Sequence, residues 1–292
     1  MKSIIKVLAF MLIAVLICQC EKDDPQFTIP DNNFLTALIE LGVDTNGDGI
    51  ISPAEAEAIT VLDVSEDSIS DMSGIEAFVN LEILSCSFNQ LTSLDVSNNT
   101  ALRELYCFKN QLTTLIVSNN TVLEALGCNY NQLTSLGVSN NTVLVELYCD
   151  GNQLTTLDVS ENAVLEYLWC NYNQLTSLDV SNNTALEYLW CNSNQLTSLD
   201  VSNNTVLVGL YCDGNQLTTL DVSNNTTLTS LMCGGNQLTT LDVSNNTALE
   251  RIKIKSMPSL YQVCVWELPF PPSGVVVYTD DSPNVFFTTD CN

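Results

Sequence analysis

The chain has 292 residues, 46% of them hydrophobic, with 34 Asp and Glu against 8 Lys and Arg, no histidine and a formal charge of −26. So acidic a balance excludes nucleic acid, whose phosphates are held by Lys and Arg, and argues against an anionic lipid surface; basic proteins, cations and neutral glycans stay open as partners. Without histidine there is no Ser-His or Cys-His pair, and the repeated acids form no unique couple, so no enzyme is expected.

Residues 1–20 read as a targeting segment. Lys2 and Lys6 give a short positive start, and 7–17 is an apolar run too short to span a bilayer comfortably. It ends at Ile17-Cys18-Gln19-Cys20, followed by Glu21-Lys22-Asp23-Asp24. This stretch resembles a bacterial lipoprotein signal with Cys20 as the acylated residue. The acidic tetrad is similar to the surface-export signal of Bacteroidetes lipoproteins. Cys18 and Gln19 depart from the small residues usual before the acylated cysteine; Cys18 is the alternative acceptor, and an ordinary cleaved secretory signal is the alternative reading. The resemblance implies an exported outer-membrane lipoprotein on the cell surface, touching the membrane only through its acyl chains. Residues 21–30 follow as a linker.

Residues 31–80 read as an N-terminal cap. Residues 32–41 carry apolar side chains at helical spacing and stop at Gly42. The run Asp44-Thr45-Asn46-Gly47-Asp48-Gly49-Ile50-Ile51-Ser52-Pro53-Ala54-Glu55 then meets every position of the D-x-N-x-D-G-x5-E calcium loop. Hard Ca²⁺ takes about six to eight oxygens, and this spacing offers them at alternating positions. Side chains of Asp44, Asn46 and Asp48, the carbonyl of Ile50, Ser52 directly or through water, and Glu55 with both oxygens are the expected ligands. The loop resembles an EF-hand or dockerin loop and implies one structural Ca²⁺. Further on, Ile59, Leu62 and Val64 look like the second half of the repeat that follows.

From residue 81 the chain repeats with a period of twenty-one residues. In one unit Leu165, Leu168, Cys170 and Asn173 spell L-x-x-L-x-C-x-x-N, and Leu175, Leu178, Val180 and Asn183 spell L-x-x-L-x-V-x-x-N. A fixed period of this kind signals a solenoid whose turns bury their apolar side by stacking. The alternation sends Leu168 and Cys170 inward and Trp169 outward, then Leu178 and Val180 inward and Asp179 outward. Two short strands per turn and two parallel sheets around a narrow core are expected. The pattern resembles bacterial leucine-rich repeats of the nested-period class over residues 81–257. That resemblance implies a mainly β, parallel-stranded solenoid used for binding, with adhesion or recognition outside the cell as its task.

The columns of this repeat suggest roles. Cys86 through Cys233, eight in register, take an inward apolar position and read as buried small hydrophobes. The Asn columns starting at Asn89 and Asn99 read as inward hydrogen-bonded ladders, and the aspartates from Asp95 to Asp242 as turn formers. The outward aromatics Tyr106, Tyr148, Trp169, Trp190 and Tyr211, flanked by Tyr167 and Tyr188, form a stripe edged by Glu146, Asp150, Glu166, Glu187 and Asp213. Aromatics grouped on a solvated face mark interaction sites, and plain β-propensity is the alternative. The Trp169/Trp190 pair would offer apolar platforms to an extracellular protein or glycan. Capture of glycan for nutrient uptake and a structural envelope role remain as alternatives.

After Ile254 the repeat breaks at Met257-Pro258, so 258–292 reads as a β-rich C-terminal cap. Cys264 and Cys291 lie outside the cysteine register and are the candidates for a disulfide, which suits an exported protein.

Overall fold

The computed structural model describes residues 27–291. The expected acylation at Cys20 lies outside the described residues. Helix α1 (Asn32–Glu40) begins where the Asp31 side chain accepts the N–H groups of Asn33 at 2.8 Å and Phe34 at 3.1 Å. It buries Phe34, Ala37 and Leu38 and ends at Gly42, whose positive φ of 78° stops the helix. Helix α2 (Pro53–Glu57) starts with Pro at its first position and a capping box in which Ser52 and Glu55 bond each other's backbone.

The strands are three residues each. The first is β1 (Val61–Asp63), followed by β2 (Ile83–Ser85), β3 (Glu104–Tyr106), β4 (Ala125–Gly127), β5 (Glu146–Tyr148), β6 (Tyr167–Trp169) and β7 (Tyr188–Trp190). Then come β8 (Gly209–Tyr211), β9 (Ser230–Met232), β10 (Thr240–Asp242), β11 (Arg251–Lys253), β12 (Gln262–Cys264), β13 (Val276–Tyr278) and β14 (Phe286–Thr288). Eleven of them, β1 to β9 with β11 and β13, form one parallel sheet in unbroken order; β10, β12 and β14 form a second sheet of three. Each central leucine faces its neighbour in register, as Leu147 does Leu168 and Leu168 does Leu189, and all three are fully buried. The cysteine after each of the strands β2 to β9 is also fully buried and unpaired, and burial raises every one of those thiols above its ordinary pKa.

The corners explain the asparagines. The residue before each first-half Asn is in the left-handed conformation, including Phe88, Lys109, Tyr130, Tyr172 and Ser193, where glycine would be easier. Asn173 closes this corner. Its amide donates to the carbonyls of Cys149 at 3.0 Å and Cys170 at 3.2 Å, and its oxygen accepts the Leu154 N–H at 3.0 Å. The second-half Asn183 donates to the carbonyls of Val159 at 2.9 Å and Asn162 at 2.8 Å.

Three expectations change. The second halves do not form a continuous sheet. They pair only as bridges at Asp95–Ile116, Ile116–Gly137, Gly137–Asp158 and Asp221–Asp242 until β10 begins. Bridges are missing where Asp158, Asp179, Asp200 and Asp221 stand on adjacent turns, where like charges at strand spacing disfavour close pairing; Asp221 and Asp242 bridge all the same, beside β10. Leu62 belongs to the first-half sheet, opposite Leu84, rather than to a second half. Its L-D-V sequence occurs in second halves, but the distance to the next strand decides the sheet. Beyond Ile254 the array also continues: β13 extends the large sheet and β14 the small one. Ser282 replaces the corner asparagine, donating to the Ile254 carbonyl at 2.6 Å and accepting the Met257 N–H at 2.9 Å.

Candidate binding face

The strands of the large sheet place their first and third side chains on its outer side, so the sequence columns become stacks of neighbours. Trp169 and Trp190 stack at 4.4 Å with their planes 9° apart; Tyr148 packs edge-on against Trp169 at 4.8 Å, and Tyr211 tilts on Trp190 at 4.7 Å. Beside them Tyr167 and Tyr188 stack at 5.5 Å. The expected stripe is therefore assembled, with Tyr106 one gap away from it, across Gly127. The two indoles, however, cover one another's faces. What they offer a ligand is a ridge of ring edges, not the open platforms expected from the sequence. Their indole N–H groups are sealed within the stack and have no acceptor among the described residues.

Carboxylates fix the outer tyrosines. The Tyr148 hydroxyl donates to Glu146 at 2.9 Å and that of Tyr106 to Glu104 at 3.1 Å. Burial, followed by the Glu104 charge and bond, pushes the Tyr106 phenol up to about 12.

A second feature of this face escaped the sequence reading, which took Asp150 and Asp213 only as flanking charges. The residues following the ladder cysteines form a polar chain along the sheet. The Asn129 amide donates to Asp150 at 2.8 Å; Asp150 accepts the Asn171 N–H at 2.8 Å and amide at 2.6 Å. Asn171 then accepts the Asn192 N–H and amide, both at 2.8 Å, and Asn192 accepts the Asp213 N–H at 2.9 Å. Lys253 closes the chain at 3.2 Å from Asp213. Burial raises the Asp150 carboxyl above the ordinary range, with the asparagine bonds working against it; the same burial acts on Asp213, opposed by Lys253. The signal was available, since positions 129, 150, 171, 192 and 213 are all Asn or Asp.

The loop from Asp44 to Glu55, the candidate for calcium, has a defined shape. Asp44 accepts the N–H groups of Gly47 at 2.7 Å and Gly49 at 2.9 Å, Asn46 that of Asp48 at 2.8 Å, and Asp48 that of Ile50 at 2.9 Å. Gly47 and Gly49 both have positive φ, which the sharp turn requires. Glu55 is bonded elsewhere. One oxygen accepts the N–H and hydroxyl of Thr45, both at 2.7 Å, and the other the N–H and hydroxyl of Ser52 at 2.9 and 2.8 Å. These bonds, led by that from the Ser52 N–H, hold its carboxyl down at about 2. The oxygen donors and the backbone fit a hard divalent cation. The carboxylates do not converge as placed: among the described residues, no three acids of this loop bring ligand atoms within 4.8 Å of one another. At the other end Cys264 and Cys291 are joined as a disulfide with Cα atoms 5.6 Å apart, within the usual range.

A stacked parallel sheet, an asparagine ladder and inward leucines define a leucine-rich-repeat protein with a solenoid fold. The family model for leucine-rich repeats in two copies matches residues 164–204. The chain is similar to the Listeria internalins. It is 42% identical over 71 residues to Internalin J of Listeria monocytogenes serotype 4b, which is 24% of this chain and 8% of that protein. The functional domain of InlJ from Listeria monocytogenes, described as including a cysteine ladder, superposes with a TM-score of 0.78 at 35% identity, covering 88% of this chain and 61% of that one. A leucine-rich-repeat protein of Leptospira interrogans follows at 0.68 and 25% identity, covering 76% of this chain and 62% of that one. The chain thus spans less than two thirds of each of these relatives. No helix among the described residues is long and apolar enough to cross a membrane.

Proposed function

We propose that this protein is a non-catalytic binding protein of the bacterial cell surface, held by a lipid on Cys20, which recognises an extracellular protein through the aromatic face of its large sheet. The observation that carries the reading is the ring ladder from Tyr148 to Tyr211, with the Asp150–Asp213 polar chain running beside it. Aromatic edges among fixed hydrogen-bonding groups suit a protein surface, where large rigid side chains carry most binding energy. A sugar ring stacks on an open aromatic face, and in the Trp169–Trp190 pair those faces are covered. The glycan reading therefore moves to Tyr172 at the strand exit, which is 61% exposed.

The N-terminal loop adds one structural Ca²⁺, held by Asp44, Asn46, Asp48, the Ile50 carbonyl, Ser52 and Glu55 once Glu55 turns from Thr45 toward the loop centre. Extracellular sites of this chemistry bind at about 10⁻⁴–10⁻³ M. Calorimetric titration with Ca²⁺ should show binding in that range, lost in Asp48→Ala; silence from the unaltered protein would remove the metal from the account.

The face itself is tested by screening the soluble chain and its Trp169→Ala/Trp190→Ala variant against extracellular-matrix proteins and a glycan array. The expected result is protein binding weakened about tenfold or more in the variant, with melting of the fold retained. Equal binding by both would move the site off this face. Glycan binding lost only in Tyr172→Ala would favour the alternative.

A further inference from the structure

The outward column of the second halves departs from its rule at two neighbouring turns. Six of its eight positions from 95 to 242 are aspartate, while Ile116 and Gly137 stand at the other two. Ile116 is 68% exposed, more than any other large apolar residue among those described. Gly137 gives it no side chain to lean on, and a Cβ there would meet nothing within 4 Å. On its other side Ile116 bridges Asp95 and ends a groove of about 710 Å³, lined by Asp71, Ser73, Glu76, Asp95, Thr114 and Ile116, that runs from the N-terminal cap over two turns.

The groove is rimmed by acids that have no counter-charge. Asp71 accepts the Ser73 N–H at 2.8 Å, Glu76 the Gly74 N–H at 2.8 Å and Asp95 the Ser97 N–H at 2.9 Å, so each carboxylate is held in place through one oxygen. None of the three is in an ion pair; those among the described residues join Arg103 to Glu124, Lys253 to Asp213 and Lys255 to Asp280. Residues 27–102 hold thirteen Asp and Glu and no Lys or Arg, so this part of the chain supplies no cation to the groove. A single exposed isoleucine is ordinary on a protein surface. One that ends a groove rimmed by unpaired carboxylates offers two chemistries for a partner to match.

We propose that this groove docks a cationic segment of a partner protein, which sets one aliphatic side chain against Ile116 and basic side chains against Asp71, Glu76 and Asp95. The exposed Ile116, standing where the array otherwise writes aspartate, specifies the apolar residue. The unpaired carboxylates specify the charge, because an arriving cation displaces no ion pair. No residue of the groove lies in the large sheet, so this surface is separate from the ringed face.

The test uses the soluble protein and three amidated pentapeptides: leucine between pairs of lysines, serine between pairs of lysines, and leucine between pairs of glutamates. The lysine–leucine peptide should bind about tenfold tighter than the serine one, the gain expected from partly burying one leucine. The glutamate peptide should bind weakest. Ile116→Asp writes into the column the residue found at Asp95 and Asp158, which keeps the fold; it should abolish the leucine preference while the lysine peptides still bind. Asp95→Asn/Glu76→Gln retains the acceptor oxygens and should weaken both lysine peptides alike, leaving the preference in place. Trp169→Ala/Trp190→Ala should change neither, and a loss there would put the peptide on the ringed face instead. The proposal is overturned by that loss, by no leucine preference in the unaltered protein, by a preference that survives Ile116→Asp, or by lysine binding untouched in Asp95→Asn/Glu76→Gln. Self-association of the unaltered protein that Ile116→Asp removes would assign the groove to a second copy and overturn it as well.

Discussion

The two halves of each turn are written in nearly the same sequence and behave differently. First halves pair into an eleven-stranded sheet; second halves make scattered bridges and only three true strands. The outward column differs between the halves, although the first-half sheet is also unbroken at Ser85 and Gly127, where no ring meets a ring. Rings attract their copies on the next turn, as Trp169 and Trp190 do, whereas aspartates repel theirs. The bridges that do form cluster at Ile116 and Gly137, where the aspartate column is interrupted. Asp221–Asp242 is the exception, and there Asp242 already lies in β10, held by β12. The corner asparagines differ too. Asn173 uses its amide and its oxygen, while the oxygens of Asn183 and its copies have no donor among the described residues. The ringed half is the more tightly built, and it is also the half that presents the binding face.

That ranking can be broken most easily at the corners. Asn173→Ala should cost about 3–4 kcal/mol and Asn183→Ala about 2, since the first leaves both a buried N–H and buried carbonyls unpaired and the second carbonyls alone. Denaturant midpoints would show it, and equal losses would remove the distinction between the two ladders.

The cysteine ladder belongs to the tight half, so its thiols should resist alkylation at pH 8.5 in the native protein and react once it is unfolded. Mass spectrometry would count the adducts. Reaction of Cys170 in the native state would show that the first-half core opens readily.

A third test lies in the N-terminal cap, whose Glu55 has its carboxyl lowered from 4.5 to about 2. The stabilisation from a depressed carboxyl is present above its unfolded pKa and is lost as pH falls through the folded one. Glu55→Gln should therefore melt below the unaltered protein at pH 7, with the gap closing between about pH 4.5 and pH 2. A gap that stays constant down to pH 2 would show that Glu55 acts by packing instead. The smallest effect is expected from Asp179→Ile, which copies the natural residue of an earlier turn. Global stability should change by less than about 0.5 kcal/mol, while hydrogen exchange slows at the new second-half bridge. Unchanged exchange would rule out charge repulsion as the reason those bridges are absent.

The period and its inward leucines, cysteines and asparagines made the solenoid legible, because each such position repeats a buried environment. What the sequence hid depended on relations between copies. Two tryptophans in register look like two platforms until their 4.4 Å stacking shows that each covers the other. Asp179 was legible as a turn former, and its carboxylate accepts the Ser181 N–H at 2.9 Å; the loss of pairing between its copies was not. Ser282 could not be seen as a corner, since a hydroxyl bonding Ile254 and Met257 from the far end of an irregular insert matches no pattern. The candidate calcium loop at 44–55 shows the opposite case. Its donors were legible one by one, but the placement of Glu55 on Thr45 and Ser52 was not.

The most direct measurement is site-specific photo-crosslinking on living cells, with a benzophenone amino acid placed at Tyr148 or Tyr211 on the ringed face and at Asp179 or Asp221 on the aspartate face. The account predicts a shared, saturable protein adduct from the two ringed-face positions, competed by excess soluble chain, and none from the aspartate positions. The same adduct formed from Asp179 or Asp221, with none from Tyr148 or Tyr211, would contradict it.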